Sequence, residues 1–108
     1  MLIAETRTDG DYAGVFEYDG QSGYFYLVEM EGELTKKVTG ALRIMTGPAC
    51  FTEGQCKIKW DAEQRRVALF IMGTIWALFD LVSGSRYWGD LMLGDAPTIP
   101  PELLGGFK

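Results

Sequence analysis

Asp80 is the residue whose sequence surroundings come nearest to chemistry. It follows Trp76-Ala77-Leu78-Phe79 and precedes Leu81-Val82, an apolar context that predicts partial burial. A desolvated carboxylic acid keeps its proton to higher pH and can act as a general acid or base. The competing reading, which the residue types favour, is structural. It makes Asp80 a strand-end aspartate paired with Arg86 or Arg43, or bonded to turn amides. Histidine is absent from the chain. That removes the commonest general base, the commonest metal ligand and every Ser-His or Cys-His arrangement. An enzyme built on this chain would have to work with carboxylates, tyrosine, lysine or cysteine.

Cys50 and Cys56 fit neither a Cys-x-x-Cys redox pair nor a complete zinc set. Cys56 alternates with Ile58 and Trp60 and reads as a small buried hydrophobe. Cys50 lies in a Gly-Pro loop and is the more accessible thiol, but it has no basic neighbour to activate it. Asp9-Gly10-Asp11 and Asp19-Gly20 offer oxygen ligands, yet neither continues into a twelve-residue calcium loop. Turn chemistry explains both. No phosphate-cradling glycine pattern leads into a helix. The sequence therefore predicts no metal and no cofactor.

Aromatic residues are the richer signal. Tyr12, Phe16, Tyr18, Tyr24, Tyr26, Trp76, Tyr87 and Trp88 exceed the needs of one small core, so some must be exposed or line a groove. Exposed Tyr and Trp mark interfaces and ligand pockets. Cross-strand pairing within a sheet is the alternative use. The candidate binding residues are Tyr18, Tyr24 and Trp88, which flank turns, together with Asp80 and Arg86.

Strands must position these groups. Glycine numbers 14, against about seven or eight expected for this length. Frequent Gly between aromatic and β-branched runs predicts short strands joined by tight turns. Strands are expected at 2–6, 14–18, 24–30 and 36–45, the last half-exposed with Val38, Leu42 and Ile44 on one side and Gly40 as a bulge. Tyr24, Tyr26, Val28 and Met30 share one face of the third strand, opposite Phe25 and Leu27. Glu31-Gly32-Glu33 predicts the turn between the third and fourth strands.

The densest apolar stretch, from Cys56 to Leu81, reads as a meander of three strands. Cys56, Ile58 and Trp60 alternate with lysines, 67–72 is apolar on both faces, and 74–81 returns. A single helix over 66–82 is disfavoured by Gly73 and by the β-branched and aromatic content. Methionine at Met72-Gly73 disfavours positive φ, which predicts a bulged turn there. A last strand is expected from Arg86, and Pro97, Pro100 and Pro101 then predict a Pro-rich C-terminal cap, with at most one helical turn over Ile99 to Leu104. Leu103, Leu104 or Phe107 would pack over the sheet.

A length of 108 residues predicts one domain over 1–108, and a hydrophobic share of 47% is ordinary for a globular chain. The net charge is −5, which argues against nucleic acid as a partner. Met1-Leu2-Ile3-Ala4 runs straight into Glu5, so no secretory signal is read and the thiols are expected reduced in the cytoplasm. The longest apolar run, 67–79, falls short of the roughly 20 residues a membrane helix needs, so no membrane partner is expected.

Val15-Phe16-Glu17-Tyr18-Asp19-Gly20, Gly23-Tyr24-Phe25-Tyr26, Ile58-Lys59-Trp60, Ala68-Leu69-Phe70-Ile71 and Phe79-Asp80 together resemble a family of small bacterial β-domains of unknown function. The resemblance implies a bacterial cytosolic β-domain and carries no activity. The expectation is an all-β fold, an antiparallel sandwich or curled meander sheet of about seven short strands. The expected function is a small cytosolic, non-enzymatic binding module that holds a protein partner or a second copy of itself. An acidic surface suited to a basic partner is one form of that reading. The alternative is a small-ligand binder or carboxylate-dependent enzyme with a pocket around Asp80.

Overall fold

The computed structural model describes residues 1–30 and 36–107, and the expected Glu31-Gly32-Glu33 turn lies outside them. Eight strands run in chain order: β1 Leu2–Thr6, β2 Tyr12–Tyr18, β3 Ser22–Met30, β4 Lys36–Thr46, β5 Cys56–Trp60, β6 Arg66–Ile71, β7 Thr74–Asp80 and β8 Arg86–Trp88. They make two antiparallel four-stranded meanders, β1-β2-β3-β4 and β5-β6-β7-β8. The sheets stay open and stack, β1 against β5 on one side and β4 against β7 and β8 on the other. This is the expected antiparallel sandwich.

Period-two alternation builds the core. Phe16, Phe25, Leu42 and Met45 point inward from the first sheet and meet Ile58, Val67, Leu69 and Phe79 from the second. Phe25 and Phe79 touch across the sheets with ring centroids 5.3 Å apart. On β3 the face assignment holds: Phe25 and Leu27 join the core, while Tyr24 and Tyr26 stack on the opposite face at 5.8 Å.

The fourth strand departs from simple alternation. Leu27 pairs with Gly40 but Val28 pairs with Val38, which leaves Thr39 as the extra residue of a bulge beside Gly40. The bulge reverses the strand's facing, so Val38 is exposed rather than buried with Leu42 and Ile44 as expected. A second irregularity, between Gly23 and Tyr24, accommodates Ile44 and lets Ile44 and Met45 both be buried.

One expectation about local backbone is corrected. Met72 and Gly73 both have positive φ, 52° and 82°, between the paired residues Ile71 and Thr74. The turn is therefore of the primed type rather than bulged, because unbranched Met tolerates the left-handed region that the strand twist demands. The C-terminal cap makes one 3-10 turn at Pro101–Leu103, as expected for 99–104, and a second follows at Gly105–Phe107. Leu104 stays in the right-handed region and carries the chain from one turn to the next.

The cap explains why β6 is covered on both faces. Pro97 abuts Gly89 at the end of β8, the Ala62 amide donates to the Gly106 carbonyl at 2.9 Å, and the Phe107 ring meets Phe70 at 6.0 Å. Residues 89–107 thus cross the outer face of the second sheet, from the β8 edge to the β5–β6 turn. Ala68 and Leu78, which point to that face, are fully buried.

Candidate functional site

Asp80 ends β7 with both carboxylate oxygens engaged. Oδ1 accepts from the Val82 amide at 2.9 Å and Oδ2 from the Ser83 hydroxyl at 2.9 Å. Its charged partner is Arg66, whose Nε lies 3.4 Å from Oδ1, and not Arg86 or Arg43. Burial alone would raise the Asp80 carboxyl, but the Val82 amide, the Ser83 hydroxyl and the Arg66 charge outweigh it and hold the group below its ordinary 3.8.

Arg66 also reaches a second buried carboxylate. Its Nη1 lies 3.3 Å from Asp61 Oδ2, while Asp61 Oδ1 accepts from the Arg65 and Arg66 amides. Asp61, Arg66 and Asp80 form a line of alternating charge across the start of β6, from the end of β5 to β7. Asp61 looks like an ordinary polar turn residue in the sequence, and only its five-residue spacing from Arg66 hinted at a closed turn. The cluster binds the β5–β6 turn to the end of β7. Its chemistry is structural.

Of the remaining candidates, Tyr24, Arg86 and Trp88 line two clefts that share Arg86. One, of about 830 Å³, opens where β4 overhangs β8 and is lined by Tyr24, Arg43, Arg86, Trp88, Asp90 and Asp95, among others. The other, of about 380 Å³, runs past Arg7, Tyr12, Phe79, Asp80 and Arg86. Tyr24 and Arg43 are cross-strand neighbours on β3 and β4, and Arg86 lies with its guanidinium 5.8 Å from the centre of the Phe79 ring. Trp88 is half exposed at 50%. Asp90 is committed to its own turn, accepting from the Met92 and Leu93 amides.

Among the described residues, neither Arg43 nor Arg86 has a carboxylate within ion-pair distance, whereas Arg7, Arg65 and Arg66 all do. Tyr18 is not part of this group. Its hydroxyl donates to the Gly47 carbonyl at 2.8 Å and its ring packs on Phe51, so it fastens the loop after β4.

The cysteines sit as their sequence contexts suggest. Cys50 is exposed and Cys56 buried, neither in a disulfide, and burial pushes the Cys56 thiol up to about 11. A thiol reagent at neutral pH is expected to label Cys50 alone in the folded protein and Cys56 only after denaturant is added. Mass spectrometry of the labelled peptides reads this directly. Modification of Cys56 under native conditions at a rate similar to Cys50 would contradict the placement. Among the described residues, no group of three or more His, Cys, Asp or Glu is arranged to hold a metal, and no helix is long and apolar enough to cross a membrane.

A family model described as an uncharacterized protein conserved in bacteria, DUF2251, matches residues 1–88. The chain belongs to the DUF2251 family. No curated protein and no solved structure matches it. The DUF2251 match covers both sheets and stops at Trp88, the last residue of β8, so the cap over the second sheet lies beyond it. Tyr24, Arg43, Arg86 and Trp88 all fall within the matched span.

Proposed function

We propose that this DUF2251 protein is a non-enzymatic binding module of the bacterial cytoplasm, and that it takes an acidic, extended segment of a partner protein in the cleft between β4 and β8. The observation that carries the reading is the pair of guanidinium groups, Arg43 and Arg86, without carboxylate partners among the described residues, beside the Tyr24 and Trp88 rings. Trp, Tyr and Arg are the residues in which interface binding energy concentrates. Arg recognises carboxylates bidentately, and aromatic faces cover the apolar part of the same segment. The partner is therefore acidic here, although the net charge of −5 by itself suggests a basic one. A free exposed thiol at Cys50 fits a reducing compartment. A proton-transfer role for Asp80 has no support in its saturated carboxylate.

Panning random display peptides against the protein tests this. The recovered peptides are expected to be rich in Asp and Glu with an interspersed aromatic or aliphatic residue. Their binding should vanish in Arg43→Glu/Arg86→Glu and fall by about thirtyfold or more in Trp88→Ala, the effect of losing a hot spot worth about 2 kcal/mol. Recovery of mainly basic peptides, or binding indifferent to the arginine reversal, would sink the reading.

A further inference from the structure

We infer that a second copy of this chain pairs with the free edge of β1, which would make one continuous eight-stranded sheet across a twofold axis. The sandwich has four strand edges, and three carry devices against pairing. β4 has lysines at Lys36 and Lys37 and two irregularities, β5 has Lys57 and Lys59, and β8 is three residues long with the cap pressed on its end. β1 has no lysine, arginine, proline or bulge along its five residues, and Leu2 is 61% exposed on it.

The hydrogen bonding of β1 defines what its edge offers. Met1 and Tyr18 exchange both main-chain bonds, at 3.0 and 2.9 Å, and the Arg7 amide donates to Tyr12 at 2.7 Å. Alternation then turns Ile3 and Glu5 toward β2, and the N–H and C=O groups of Leu2, Ala4 and Thr6 outward. No partner for those outward groups is found among the described residues. An antiparallel second copy satisfies them in one register: Ala4 faces Ala4 of the other copy, and Leu2 faces Thr6. The same register sets Glu5 across from Ile3. The strand's single charge therefore meets no like charge, and it is carried toward a trough whose far wall holds Lys57 and Lys59. The edge is self-complementary, as an isologous contact requires.

This surface lies on the opposite side of the sandwich from the β4–β8 cleft, so pairing leaves that cleft open. A five-residue pairing buries less than the roughly 1,200 Å² of a stable interface, so the dimer exchanges rapidly with monomer.

Sedimentation velocity over a rising concentration series is the test. The unmodified protein is expected to shift from monomer toward dimer. Ala4→Lys sets two lysines against each other on the twofold axis and should weaken association by about tenfold or more, as should Ala4→Glu. An equimolar mixture of the two variants should associate again. Ala4→Pro removes only an outward donor, spares the bonds to β2, and should also be monomeric. Circular dichroism and unfolding midpoints confirm that each variant is folded. A protein that stays monomeric at about millimolar concentration, or a dimer unmoved by Ala4→Lys, or variants whose mixture does not associate, would overturn the inference.

Discussion

Arg66→Met is expected to destabilise the fold by about 3–5 kcal/mol, the cost of leaving buried carboxylates without their cation. Arg66 stands between Asp61 and Asp80, which are 2% and 5% exposed, and it is the charged partner of both. Asp61 and Asp80 keep their amide and hydroxyl donors in the variant, so the turns need not unravel. What disappears is the only opposite charge either carboxylate meets among the described residues.

The pH dependence gives the mechanism away. In the unmodified protein the Asp80 carboxyl is held below 3.8, so its contribution to stability is complete above that value. The contribution is lost as pH falls through the lowered folded value. The variant's deficit is therefore largest near neutral pH and narrows in acid, where the Asp80 carboxylate takes up its proton. Urea unfolding at about pH 7 and about pH 3 measures both limits. A deficit unchanged with pH would mean that Arg66 acts mainly through its aliphatic stem.

The sheets were legible in the sequence because alternation is a local property. Cys56-Lys57-Ile58-Lys59-Trp60 declares its faces residue by residue, and the β5–β6–β7 meander follows from three such stretches and their turns. Val38 was misread for the same reason: an extra residue at Thr39 reverses the facing, and nothing in Val38-Thr39-Gly40 states which residue will be extra. The partner of Asp80 was also out of reach. Arg66 and Asp80 are cross-strand neighbours only in one register of β6 on β7, while Arg86 is nearer in sequence and equally basic. Tyr24 and Trp88 could be singled out as aromatics beside turns. That Arg43 joins them, rather than pairing with Asp80, depends on β4 overhanging β8, which is a property of how the sheets stack.

A loss of about 3–5 kcal/mol is also expected at Phe79→Ala, and it should change the effect of a mutation on the other sheet. A β-carbon built on Gly40 would lie 2.6 Å from Cε1 of Phe79, inside any real contact distance. Gly40 does not have a positive φ, so space and not backbone conformation keeps this position glycine. Gly40→Ala should therefore cost about 1–3 kcal/mol in the unmodified protein by overpacking. With the Phe79 ring gone the obstacle is gone, and the same substitution should cost close to nothing. The double-mutant cycle isolates that coupling, expected at about 1–3 kcal/mol. Additive losses would show that Gly40 is needed for the Thr39 bulge and not for the ring. The coupling also bears on binding. Phe79 packs against Phe25 on one side and lies beneath Arg86 on the other, so the ring that fills the space at Gly40 also supports a guanidinium of the β4–β8 cleft. The inter-sheet contact that closes the core thus holds in place one of the two charges through which the protein is proposed to bind.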